Sequence, residues 1–434
     1  MKKLQTLLLF ICRTIIGCIF WLSIRVGASL TISGVTYDRG LPRTYLGMTH
    51  KRDTDPFLLL PTIGFHRGWR ALAGDFHFAL RADGFTRGFL ARMIARPAWF
   101  ARLLRPLSVG PALRWLGTYP IEGLIRPAEE WVREVLQTAG DMPAETILAP
   151  AFLRDFAQAT ALSLVEVNQL ALSHLLAWRY QHALRDFYGP EILRGPRRRQ
   201  IERQVIERIH THQADISGCL WQDGTFLGSP EGQLSPDGRV SPMYAGFRRL
   251  IRAVPPDLRV VPISLIYDFM TSGRLRIFVD FAPTLEYAGK LPLTELDAHL
   301  RHAWLLHAHF TCTQLASGFL MARQQAHVPE FTLNDFTHAV YQQACELAAA
   351  GRHVDPLLLQ PATVTRRTRQ YLTYAERHGL VQRHTAQHWQ LTLHERTMQV
   401  GPREVAYEKE PLLYAYNELQ DLLSVSALPY EVRG

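Results

Sequence analysis

Cysteine is scarce in this chain. Five residues (Cys12, Cys18, Cys219, Cys312 and Cys345) are scattered over 434 positions, odd in number and without a CxxC pair. That usage excludes a disulfide framework and a cysteine-rich zinc site, and reads as free thiols in a reducing compartment. Several catalytic signatures are missing as well. No GxSxG elbow is present for a serine hydrolase, and there is no phosphate-binding P-loop or dinucleotide fingerprint. His384 and His388 stand four apart, but no Glu occupies the place an HExxH zinc motif needs, so a surface helix is the expectation there. His302, His307 and His309 have no ligand partners visible in the sequence and read as ordinary helix histidines. Internal repeats and low-complexity tracts are absent too.

Acidic residues are the minority charge: 39 Asp and Glu against 48 Lys and Arg, a net charge of +9 and a pI near 9.4. Such a surface suits an anionic partner, whether nucleic acid, an anionic bilayer or a phosphorylated substrate. No nucleic-acid reading motif accompanies the charge, so nucleic acid is not expected as a partner. A hydrophobic content of 47% with 20% charged residues describes a globular chain, and its length allows two or three domains.

Residues 1–30 carry two leading lysines and an apolar run that Arg13 interrupts and Arg25 closes. Arg13 splits the hydrophobic region and no clean cleavage site follows, which favours a retained membrane anchor over a signal peptide. Whether it spans the bilayer or lies in the interface stays open, because positive charge flanks the run on both sides. From Phe76 to Leu107 aromatics and aliphatics alternate with arginines, which predicts a basic helix, either a membrane-surface face or a solvated one. Ala128–His212 is mostly helical in pattern, and the basic run at Arg194–Gln200 reads as a solvated loop and helix start. A loop-rich stretch begins at Gly218. Two apolar, β-branched runs, Val260–Phe269 and Arg274–Ala282, have the profile of buried strands. Strands alternating with helices from 35 to 285 indicate an α/β domain. After Leu291 the chain turns helical and His-rich, with a strand pair expected near Gln390–Val400.

The stretch Thr49–Pro61 (THKRDTDPFLLLP) carries the most chemistry. Its His50 and Asp55 lie five apart, which is the wrong spacing for one helical face. Asp55 before Pro56 suits a helix N-cap followed by Pro at N1, leaving His50 on the preceding loop, able to fold back onto the carboxylate. A histidine held by a carboxylate keeps one tautomer and gains basicity, as a base for a hydroxyl requires. The same spacing recurs at His210 and Asp215, so the pair alone is not diagnostic.

Four landmarks stand in order: THKRDTD at 49–55, LGTYPIEG at 116–123, SPEGQLSPDG at 229–238 and VVPISLIYD at 260–268. Over roughly residues 35–285 this order resembles the four motif blocks of the glycerolipid acyltransferase superfamily, the lysophosphatidic acid and glycerol-3-phosphate acyltransferases. The resemblance implies an acyltransferase-like α/β core with a mixed sheet flanked by helices, a membrane-associating N-terminal helix and a helical C-terminal domain. The corresponding boundaries are 1–30, 31–288 with a helical insertion at about 128–212, and 289–434. It implies His50 as general base oriented by Asp55, with Pro230, Glu231, Gly232 and Gly117 around the acceptor. Backbone N–H groups near the helix start would stabilise the oxyanion. No cofactor or metal is implied; acyl-CoA or acyl-carrier protein would be the donor and a glycerolipid the acceptor. The expected location is the cytoplasmic side of the cell membrane, in phospholipid biosynthesis. The second and third blocks depart from the family pattern: the places expected to hold phosphate-binding arginines are Gly123 and Leu234. Arg126 and Arg239 are the nearby substitutes, and without them the acceptor would be a lysophospholipid or another lipid alcohol lacking a phosphate monoester. An inactive lipid-binding scaffold is the rival from a different class. The second HxxxxD, at His210, falls outside the block order and reads as accidental.

Overall fold

A computed structural model describes residues 2–34, 42–52, 55–67, 76–81, 85, 107–121, 123–184, 186–232, 234–392 and 410–425. The chain divides into two compact units, one built from Met1–Phe78 and Ser217–Gly434, the other from Ala79–Ile216.

The first unit is organised on a mixed sheet. Its strands are β1 (Ala28–Gly34), β2 (Thr44–Met48), the start of β3 (Phe76–Arg81), β5 (Thr225–Gly228), β6 (Arg259–Asp268) and β7 (Leu275–Phe281), in the spatial order β1-β7-β6-β2-β5-β3, while β4 (Thr118–Ile121) belongs to the second unit. The two apolar runs read from the sequence are β6 and β7. They form an antiparallel pair, whereas β2 lies parallel to β5 and β6, β3 parallel to β5, and β1 parallel to β7. Every residue of β6 after Arg259 is buried, as expected for a strand covered on both faces. Helices flank the sheet, and the fold class is α/β with a largely helical C-terminal part. That part contains α3 (Leu293–His307), α4 (Cys312–Gln325), α5 (Leu333–Ala349), α6 (Pro361–Arg377) and α7 (Pro411–Leu423).

The N-terminal helix α1 (Lys2–Gly27) contains a run, Leu8–Gly27, long and apolar enough to cross a membrane, with mean hydropathy 1.8. One face packs against α2 (Asp55–Arg67), where Phe20 stacks on Phe57 at 5.0 Å between ring centroids. Arg13, the residue that breaks the hydrophobic run, is only 2% exposed. Its Nη2 donates to the Phe76 carbonyl at 2.7 Å, so the charge faces protein. The opposite face exposes Leu8, Ile11, Ile15, Ile19, Leu22 and Val26, whose spacing of three and four defines one apolar stripe.

Three expectations need correction. Phe76–Arg81 is a strand, not the start of a helix, and most of the rest of the Phe76–Leu107 stretch lies outside the described residues. His388 begins the second strand of a pair, Val381–Arg383 with His388–Leu391, and His384 lies in the turn that joins them, so neither is on a surface helix. That pair also begins before the expected Gln390–Val400, and Glu330–Thr332 joins it as a third strand. Here alternation around Trp389 outweighs the helical spacing of the two histidines.

The second unit has its own core. Helices Ala128–Ala139 and Pro150–Thr160 and the first half of Arg197–Trp221 bury Trp131, Val135, Phe152, Phe156, Ile201 and Val205 together. The basic run at 194–200 is a short loop, 194–196, and then the start of the last helix at Arg197, as read from the sequence. His210 and Asp215 both lie exposed on that helix, where a spacing of five does not bring side chains together.

Candidate functional site

Strand register sets the site. In the parallel β2–β5 pair Gly47 faces Gly228, so the loops leaving the two strands emerge at the same edge of the sheet. His50 and Glu231 each stand three residues beyond those glycines. Carboxyl ends of parallel strands are where open α/β sheets place their ligand sites.

The two residues are joined through backbone. The His50 N–H donates to Glu231 Oε2 at 2.7 Å, and the Ser241 N–H donates to Glu231 Oε1 at 2.8 Å. The Ser235 N–H in turn donates to the His50 carbonyl at 2.9 Å. Glu231 is therefore a fully buried strut rather than an exposed acid. Burial raises its pKa, opposed by nearby Lys51 and by the two N–H groups. Gly232 has φ +67°, and a Cβ there would stand 2.6 Å from the Tyr244 ring, so this loop conformation requires glycine. Pro230 is buried in contact distance of Gly47, where an added Cβ would come 3.4 Å from the Pro230 ring.

His50 Nδ1 lies 3.2 Å from Asp55 Oδ2. The same oxygen accepts from the N–H groups of Lys51 at 2.7 Å and Arg52 at 2.8 Å, and Tyr267 Oη donates to Oδ1 at 2.5 Å. Asp55 is completely buried and is the first residue of α2, with its carboxylate turned back onto the preceding loop. Three donors thus fix one carboxylate, and the carboxylate fixes the imidazole. With Nδ1–H donated to Asp55, Nε2 carries the basic lone pair, on a side chain 15% exposed. The N–H groups of Lys51 and Arg52 are committed to Asp55, so the expected oxyanion donors at the helix start do not include these two.

Tyr267 was not singled out by the sequence, although it belongs to the fourth block, and the Tyr of that block is the signal. Replacing it with Phe removes a hydrogen bond to a buried carboxyl group, expected to cost about 1.5–3 kcal/mol. Urea unfolding of Tyr267→Phe measures this directly.

Lys51 is the second residue that sequence reasoning passed over. Its ammonium is 5% exposed, donates to the Gly238 carbonyl at 3.0 Å and pairs with Glu418 Oε1 of α7 at 3.1 Å. Burial works against that charge, but Tyr414, Glu418 and Glu231 around it raise its pKa overall. Helix α7 also reaches the 235–240 loop directly: Asp421 Oδ2 accepts from the Val240 N–H at 2.7 Å, and Asn417 Nδ2 donates to the Asp237 carbonyl at 3.1 Å. Gly238, at φ +96°, packs so closely on the Tyr414 carbonyl that a Cβ would stand 2.2 Å from it. The C-terminal helix thus braces the loop that carries Glu231.

Arg239 is exposed at the end of that loop. Gly117 and Arg126 belong to the second unit. Gly117, at φ +84°, ends the helix Gly110–Trp115 before β4. Arg126 is 5% exposed, with its guanidinium 3.9 Å over the Trp131 ring and 3.7 Å from Glu134. No protein-family model matches the chain, and no curated protein matches its sequence.

Proposed function

We propose that this chain is a membrane-associated O-acyltransferase that moves a fatty acyl group from a thioester to a glycerolipid hydroxyl. The observation that carries the reading is the His50–Asp55 pair, 3.2 Å apart at the carboxyl edge of the central strand, with Glu231 holding the His50 backbone. Nε2 takes the hydroxyl proton as the oxygen attacks the thioester carbonyl. The tetrahedral intermediate collapses with cleavage of the C–S bond, and the imidazolium returns its proton to the thiolate. The products are an ester and a free thiol, with acyl-CoA or acyl-carrier protein as donor. No acyl-enzyme is formed. The four motif blocks support an acyltransferase-like core and a role in phospholipid biosynthesis.

The acceptor is of the glycerol-3-phosphate or 1-acylglycerol-3-phosphate type on the strength of those blocks. One observation favours a second acceptor class. Arg126, the nearby substitute for a missing phosphate ligand, is buried against Trp131 and Glu134, an arrangement that suits a packing role. A lysophospholipid or phosphate-free lipid alcohol would need no such cation. Thioester consumption with each acceptor separates them: turnover on phosphate monoesters supports the first class, and turnover confined to capped or phosphate-free alcohols the second. Absence of turnover with every donor and acceptor pair contradicts the enzyme reading and leaves a lipid-binding scaffold.

The lipid substrate also gives α1 a role. Its inner face is packed on protein and its Arg13 is hydrogen-bonded there, while six aliphatic side chains form the outer stripe. A helix so divided suits an in-plane position on the cytoplasmic face of the cell membrane. Ile15→Glu with Leu22→Glu is expected to weaken vesicle binding about a hundredfold or more, because burying each aliphatic side chain contributes about 1.5–3 kcal/mol. Vesicle flotation measures the change; undiminished binding contradicts the in-plane placement.

A further inference from the structure

The histidines that the sequence left without partners acquire them in the fold. His307 ends α3, His309 lies on the strap that follows it, and His353 lies on the turn after α5. A parallel bridge pins strap to turn: the Phe310 N–H donates to the His353 carbonyl at 2.8 Å and the Asp355 N–H to the Phe310 carbonyl at 2.9 Å. The imidazoles of His309 and His353 consequently stand 5.3 Å apart, ring to ring, at 84°. Beneath them is Asp280 of β7, completely buried, whose Oδ1 lies 2.7 Å from His309 Nδ1 and also accepts from Ser33. His307 is 5.8 Å from His353, ring to ring.

We propose that Asp280, His309 and His353 form a binding site for a divalent transition-metal ion of the zinc class, with His307 beside it as the available fourth ligand. One donor atom from each of the three residues lies within 4.8 Å of the others. Tetrahedral zinc, with bonds of about 2.0–2.1 Å, needs its donors roughly 3.4 Å apart, a contraction within reach of side-chain rotation. Two or three imidazoles with one carboxylate favour zinc, cobalt or nickel over magnesium and calcium, which take oxygen ligands. The neighbouring cation Arg352 is turned to the carbonyls of Leu305, Leu422 and Val425. A lone buried His–Asp pair would satisfy Asp280 without gathering two further imidazoles around it. The ion would staple β7 to the strap and the turn, joining the sheet to the helical C-terminal part within one compact unit.

The test uses the full-length, tag-free protein in detergent, stripped with chelator, then dialysed against zinc and separately against cobalt. Elemental analysis is expected to find about one zinc per chain, and the cobalt form to show the visible ligand-field absorption of a tetrahedral site. His309→Ala and His353→Ala should lose both signals, whereas His388→Ala, in the small three-stranded sheet, should keep them. His353 is only partly buried, so His353→Gln serves where an alanine variant fails to fold, with circular dichroism as the check. Wild-type protein that retains no stoichiometric zinc overturns the proposal. So does a folded His353 variant that binds zinc and gives the cobalt spectrum as wild type does.

Discussion

His50→Ala is expected to lower the rate of acyl transfer by about 10²- to 10⁴-fold, the usual contribution of a positioned general base. The fold should be almost unaffected. The imidazole is partly exposed, and the links holding this loop in place run through the His50 backbone N–H to Glu231 and its carbonyl from Ser235. Neither depends on the side chain. Thermal unfolding should therefore shift little while turnover collapses, and vesicle binding should be unchanged because α1 is untouched. A scaffold would show no such separation.

The second large effect concerns stability. Glu418→Ala is expected to destabilise the protein by about 3–5 kcal/mol, as is typical when one partner of a buried ion pair is removed. Lys51 and Glu418 are each only 5% exposed, so solvent does little to screen the loss. Gln314 Nε2, which donates to Glu418 Oε2 at 2.7 Å, would lose its acceptor as well. Because Lys51 also holds the Gly238 carbonyl, the loop carrying Glu231 would loosen, and activity at temperatures well below unfolding should fall with it. Equilibrium denaturation reads the first effect and initial rates the second. Glu418→Gln, which keeps the hydrogen-bonding shape but not the charge, should sit between wild type and alanine.

The sequence was most informative where a single local rule decides the outcome. Continuous apolar runs at 260–269 and 274–282 became buried strands because only a sheet covered on both faces tolerates them. The pairing of His50 with Asp55 was legible from the Asp–Pro helix start and the loop before it. Other features depend on contacts remote in sequence. Arg13 reads as an obstacle inside an apolar helix until the Phe76 carbonyl appears opposite it. The role of Glu231 as a strut rests on the Gly47–Gly228 register, which no local pattern specifies. Lys51 and Glu418 lie more than 360 positions apart, so the bracing by α7 was not visible in either segment. The same holds for Asp280 and His353. His384 and His388 show the opposite failure, where a convenient helical spacing concealed a strand.

The most direct test of the account is the initial rate of thiol release from an acyl thioester in the presence of a lipid acceptor, measured for wild type and His50→Ala in the same vesicles. The prediction is steady turnover by wild type and a loss of about 10²-fold or more in the variant, with matching melting curves and equal vesicle binding. Equal rates in the two proteins, or no thiol release from either with any acceptor, would contradict it.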